Sequence, residues 1–171
     1  MKYENLPTGV DCCTMQNEII KFWKDNNIFE RSVDKPGLPE KVFYDGPPFP
    51  TGKPHHGTVL VSFIKDMIAR YWTMRGYSVP RVWGWDCHGL PIENQAENLL
   101  GIKDKNEIEN SLGIDKFNDK CYEIVSNNND AWKEYVEQMA RWVDYDNAYK
   151  TMNIDYMESV IWAFKTCYEK G

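Results

Sequence analysis

The sequence predicts an α/β fold in which parallel strands joined by a long helix are followed by further helices. Three observations carry this expectation. Val42-Phe43-Tyr44 has strand character and is cut short by Asp45-Gly46-Pro47-Pro48. Residues 56–75 then place Val59, Leu60, Phe63, Ile64, Met67, Ile68 and Tyr71 at three- and four-residue spacing, an amphipathic helical pattern that Gly76 is placed to stop. Ser78 to Trp83 can form a second strand, so the three pieces make a βαβ unit with parallel strands and a right-handed crossover.

The other elements follow in order. Residues 1–13 read as irregular, because Pro7 and Gly9 interrupt any periodicity. Residues 14–30 read as a helix capped by Thr14 or Asn17, with Ile19, Ile20, Trp23 and Ile28 on roughly one face. Residues 33–40 form a linker punctuated by Pro36, Gly37 and Pro39. Beyond Glu93 the chain turns helical: 91–100 ends at Gly101, and 104–111 ends near Gly113. Residues 115–141 make one helix or two, with Asn127-Asn128-Asn129-Asp130 as a turn or cap. Residues 142–149 are polar and aromatic with no clear period. Residues 154–169 return to helical spacing through Met157, Val160, Ile161, Phe164 and Tyr168.

Composition narrows the class. A chain of 171 residues can bury a core of its own, and 42% hydrophobic with 14% aromatic residues excludes a disordered tail. A formal net charge of -6 argues against this segment being, by itself, the main grip on a nucleic acid. The five cysteines, Cys12, Cys13, Cys87, Cys121 and Cys167, contain no Cys-x-x-Cys pair. Neither a zinc ribbon nor a disulfide framework is indicated, and reduced thiols of a cytosolic protein are expected. The sequence offers no apolar run of membrane-spanning length and no signal peptide, so no membrane partner is expected and the cytoplasm is the expected location.

The chemistry lies in residues 41–93, which hold every histidine: His55, His56 and His88. The Gly- and Pro-rich loop from Gly46 leads into a helix whose start reads His55-His56-Gly57-Thr58. Unpaired N–H groups and a partial positive charge make a helix N-terminus favourable for phosphate, and a histidine there can donate to a phosphate oxygen. Gly57 lets a flat group approach the backbone. The second strand runs into Gly84-Trp85-Asp86, and ligands of open parallel sheets sit beyond the carboxyl ends of the strands. Both loops then face one cleft, phosphate-binding at one end and with the Asp86 carboxylate for an ammonium at the other. Plainer readings stand beside this: surface histidines, Asp86 as a cap, His88 as a structural histidine. Zinc on His55, His56, His88 and Cys87 fits poorly, since adjacent histidines point apart and the spacing matches no standard site.

These residues resemble a known family. FYDGPPFPTGKPHHGT is similar to the strand, loop and HIGH-type signature of class I aminoacyl-tRNA synthetases, and IKDMIARYWTMRGY to the helix that follows. GWDCHGLPIE, residues 84–93, resembles the isoleucyl enzymes most specifically, and residues 141–171 match their pattern as well. The leucyl enzymes usually differ where His88 stands, and the valyl enzymes have a G-x-D-H-A-G type sequence instead. The resemblance runs from about residue 15 to the end.

It implies the first half of a Rossmann-type nucleotide-binding fold, with residues 1–40 a helical arm and linker and 41–171 the first half of the catalytic domain. It also implies ATP-dependent activation of isoleucine and transfer to tRNA(Ile), with ATP and Mg2+ as substrate and no zinc site in this segment. His55, His56, Gly57 and Thr58 are then the ATP-binding set, His55 and Thr58 its catalytic members. Gly46, Pro47, Trp85, Asp86 and His88 are the amino-acid-binding set, with Asp86 on the α-amino group and Gly46 and Trp85 shaping the pocket wall. Thr58 departs from the signature, whose last position is a histidine; its hydroxyl is shorter and never cationic, and weaker charge stabilisation is expected there. His56 occupies a variable position and is expected to face away from the phosphate. No KMSKS-like segment occurs, and Gly171 falls about where the editing insertion of the family begins. The chain alone is therefore expected to be inactive without a complementary chain carrying the KMSKS half. A truncated nucleotide-binding or interaction module, and a valyl or leucyl specificity, are the alternatives.

Overall fold

Trp83 and Trp85 lie two residues apart on strand β1 (Val82–Trp85), so their rings share one face. Both are buried, and they meet Trp132 and Tyr145 at centroid distances of 5.4 to 6.2 Å. With Cys87, Ile92, Val125 and Val136 they form the main core; Ala96, Phe117 and Ile124 form a smaller one. This is a computed structural model, and it describes residues 9–33, 35–127 and 129–171, apart from the side chains of Asn129 and Asp130.

The partner of β1 is strand β2 (Asp144–Lys150), which runs parallel to it. Six residues of β2, Asp144 to Tyr149, stand against three of β1, Val82 to Gly84. This odd excess turns the strand over, because side chains alternate faces. Tyr145 therefore packs with Trp83 and Trp85, while Tyr149 crosses Gly84 on the other face; a Cβ at Gly84 would lie 2.2 Å from the Tyr149 ring.

The first expected strand does not form. Residues 41–44 belong to no strand, and ladder pairing with the 78–82 segment is a single parallel bridge, Glu40 to Ser78. It is closed by Lys41 N–H on the Ser78 carbonyl at 2.8 Å and Ser78 N–H on the Pro39 carbonyl at 3.0 Å. Pro80 has no N–H to extend the ladder, so the second strand starts at Val82, four residues later than Ser78.

Helix α1 (Cys12–Asp25) starts earlier than expected, because Asp11 is the cap: its carboxylate accepts from Cys13 N–H at 3.1 Å and from the Thr14 hydroxyl at 2.6 Å. Asn27, at φ 48°, separates α1 from a short helix α2 (Ile28–Val33). Of the irregular start, residues 1–8 lie outside the described residues, as does Asp34 of the linker.

Helix α3 (His56–Met74) forms where the periodicity places it, stopped by Gly76 at φ 87°. Its orientation is unexpected. The buried side is a small and polar stripe, Ser62, Lys65, Asp66, Ala69 and Arg70, and the apolar stripe is exposed, with Leu60 60% and Phe63 65% accessible. Polar contacts seat the helix: Trp142 N–H donates to Asp66 at 2.9 Å, and the Arg70 guanidinium lies 3.7 Å over the Trp142 ring and donates to the Ala140 carbonyl.

The rest is helical: α4 (Leu90–Leu100), a π-helical turn (Ile108–Leu112) in place of the expected 104–111 helix, α5 (Ile114–Asn127) and α6 (Asn129–Gln138). The 115–141 run is thus two helices divided at the asparagine run, of which Asn128 lies outside the described residues. Helix α7 (Ile154–Lys170) has no buried residue. Among the described residues no helix is long and apolar enough to cross a membrane.

Candidate active site

His55 is the N-cap of α3, and it caps with its own ring. Its backbone is extended, at φ -129° and ψ 175°, and Nδ1 accepts from Gly57 N–H at 3.1 Å. The return half of this capping box is Thr58, whose hydroxyl oxygen accepts from His55 N–H at 3.4 Å. With Nδ1 accepting, neutral His55 carries its proton on Nε2, which is thereby left as a donor. Gly57 gives this ring room: a Cβ there would lie 3.0 Å from its Cε1, and the ring would have to give by a few tenths of an ångström. Thr58 keeps its hydroxyl proton for donation elsewhere. His56 is exposed one residue further on.

The loop before α3 is held from three directions. Asp45, its side chain 2% exposed, pairs through Oδ1 with Lys65 at 2.5 Å and through Oδ2 with Arg141 at 3.0 Å. Lys65 also donates to the Gly46 carbonyl at 2.6 Å, and the Tyr149 hydroxyl to the Asp45 carbonyl at 2.9 Å. Burial first, then the Asp45 charge, pushes the Tyr149 phenol up from its ordinary range and keeps it a donor. Arg141 lies 4.6 Å over the Trp83 ring, which ties the loop to the core. Further along, the Gly52 carbonyl accepts from Trp132 Nε1 at 3.2 Å.

At the end of β1, Asp86 N–H donates to the Pro48 carbonyl at 2.9 Å. This bond brings the two loops together. The Asp86 carboxylate is half-buried and makes no hydrogen bond or ion pair among the described residues, so it is available to a cation. His88 is exposed, with Nδ1 3.4 Å from Thr151 Oγ1. That hydroxyl also accepts from Cys87 N–H at 2.8 Å, so buried Thr151 orders both residues after Asp86. Burial pushes the Cys87 thiol up, leaving it a packing group.

Pro47 lines a cleft of about 760 Å³ together with Tyr44, Val82, Tyr149 and Tyr156. Trp85 does not line it as a side chain. The expectation that Trp85 shapes a pocket wall meets a ring 2% exposed inside the aromatic core, placed there because it shares a face with Trp83. Sequence reasoning also missed Asp45, Lys65, Arg141, Tyr149 and Thr151. Two signals were present: an acid beside the Gly-Pro-Pro turn, and a lysine on the helix that leaves it.

Comparisons with known proteins place the chain as a whole. The family described as tRNA synthetases class I (I, L, M and V) matches residues 18–171. An isoleucine--tRNA ligase of Corynebacterium diphtheriae is 53% identical over 158 residues, 92% of this chain and 15% of that protein. One of Rickettsia typhi is 52% identical over 170 residues, 99% of this chain and 16% of that protein. Isoleucine--tRNA ligase 2 of Pseudomonas fluorescens is 52% identical over 92% of the chain. The chain therefore spans only about 15% of the length of these relatives. In fold it is similar to the Agrobacterium radiobacter K84 agnB2 LeuRS, solved in a ternary complex with tRNA and LeuAMS, at a TM-score of 0.66 and 23% identity, covering 95% of this chain and 18% of that one. With the family matched over nearly its whole length and the α/β fold shared, the chain belongs to the class I tRNA synthetases (I, L, M and V).

Proposed function

We propose that the chain is the amino-terminal part of an isoleucine--tRNA ligase, taking part in ATP-dependent activation of isoleucine and its transfer to tRNA(Ile). The observation that carries this is the identity above 50% along 92–99% of the chain to proteins so named. In this reading residues 1–40 are a helical arm and linker and 41–171 the first half of the catalytic domain. The location is the cytoplasm, and the KMSKS half comes from sequence beyond these residues or from a complementary chain.

The chemistry needs little from the protein beyond positioning and charge. The isoleucine carboxylate attacks the α-phosphorus of ATP, which enters with Mg2+, and pyrophosphate leaves. His55 is the first phosphate donor, through the Nε2–H that its capping bond fixes. Thr58 donates through its remaining proton and, by accepting from His55 N–H, helps hold that ring. Gly57 gives the ring room and leaves the helix start low enough for the nucleotide, with His56 at its edge. Asp86 takes the α-amino group, since its carboxylate has no hydrogen bond or ion pair among the described residues. Gly46 and Pro47 border the amino acid, Trp85 supports the site from the core, and His88, ordered by Thr151, stands at its rim.

The test is isoleucine-dependent exchange of pyrophosphate into ATP, with these 171 residues replacing the matching segment of the Rickettsia typhi relative. Exchange with isoleucine well above valine and leucine is expected. Exchange with valine or leucine alone transfers the reading to that specificity. No exchange, with an isoleucyl-adenylate analogue still bound, favours a nucleotide-binding module. The 171-residue chain alone is expected to give none.

A further inference from the structure

We propose that Lys65 is a positioning residue for the amino-acid loop: it fixes the Gly46 carbonyl and thereby the placement of Gly46 and Pro47. This rests on the reading of that loop as the isoleucine site. The loop has few means of holding itself. Gly46 has no side chain, and Pro47 and Pro48 have no N–H to tie into a ladder. Its place depends on donors from elsewhere: Tyr149 on the Asp45 carbonyl, Asp86 N–H on the Pro48 carbonyl, and Lys65 on the Gly46 carbonyl between them, at 2.6 Å.

Charge pairing alone does not account for Lys65. Asp45 already has a buried cation in Arg141, whose side chain is 6% exposed and 3.0 Å away, and one cation neutralises one carboxylate. What Lys65 adds is the second bond, to Gly46. Asp45 at 2.5 Å holds the ammonium in place for it, so a flexible side chain becomes a fixed donor. Lys65 also stands ten residues along α3 from its His55 cap, about 15 Å by helical rise, so one rigid helix sets both the phosphate end and the amino-acid end of the site.

The experiment compares Lys65→Met and Lys65→Arg with the unmutated sequence in the same hybrid enzyme. Loss of the charged donor is expected to raise KM for isoleucine about tenfold or more while KM for ATP stays within about twofold, and Lys65→Arg is expected to recover most of the loss. Asp45 keeps Arg141 in Lys65→Met, so the variant is expected to fold; circular dichroism checks this. An unchanged KM for isoleucine, or equal rises for both substrates, overturns the proposal. An unmutated hybrid without exchange sinks the functional reading instead. Isoleucine titrated into the 171-residue chain and followed by NMR then decides the inference: binding that Lys65→Met weakens about tenfold sustains it, and no binding overturns it too.

Discussion

At the residue scale, Gly84 is fixed by a neighbouring ring rather than by a turn. Gly84 faces the Tyr149 ring so closely that any side chain collides with it, and that ring is tied through its hydroxyl to Asp45. Gly84→Ala is expected to cost about 3 kcal/mol, measured as a lower urea midpoint at unchanged slope. Tyr149→Phe, which keeps the ring and loses one hydrogen bond, is expected to cost about 1 kcal/mol in the same measurement. The buried and half-buried acids respond to alkali. Cys87, Cys121 and Tyr149 hold their protons more tightly folded than unfolded, chiefly because burial disfavours the anions. The unfolded state therefore releases protons first, and stability, complete below the ordinary thiol range, falls as pH rises through and above it. Denaturation across that range is expected to show the fall, and Cys87→Ala to flatten it.

At the element scale, α3 shows what periodicity can and cannot reveal. Its position, its length and the Gly76 stop were legible, because three- and four-residue spacing and a left-handed glycine are local signals. Its orientation was not. The apolar stripe suggested a buried face, yet ion pairs and hydrogen bonds from Lys65, Asp66 and Arg70 turn the polar stripe inward. Strand β2 was illegible for a related reason: Asp144–Lys150 is polar and half-exposed, and its pairing with β1, not its own pattern, makes it a strand. The HIGH-type stretch was legible as a helix start, but that His55 caps the helix with Thr58 as the return half came only with coordinates. Thr58→Val removes the hydroxyl acceptor. It is expected to cost about 1 kcal/mol of stability and to raise KM for ATP in the hybrid enzyme, with Thr58→Ser close to the parent in both.

At the scale of the whole molecule, the family and fold were already legible in residues 41–93, and the matched family extends over residues 18–171. Loop geometry was only half legible. Asp86 and the Gly46–Pro47 turn were evident as types, whereas Asp45, Arg141 and Tyr149, which hold the loop from distant parts of the chain, had no sequence signal that linked them. The molecule also carries uncovered apolar faces on α3 and α7, with Met74 80% and Phe164 73% accessible. The 171-residue chain alone is expected to enhance the fluorescence of a hydrophobic dye, and the hybrid enzyme to do so much less per molecule. The central claim is that these residues hold isoleucine by its ammonium on Asp86. The measurement that tests it most directly is pyrophosphate exchange by Asp86→Asn in the hybrid enzyme. The account predicts a loss of about 100-fold in kcat/KM for isoleucine with KM for ATP within about twofold, and an exchange rate equal to the parent's would contradict it.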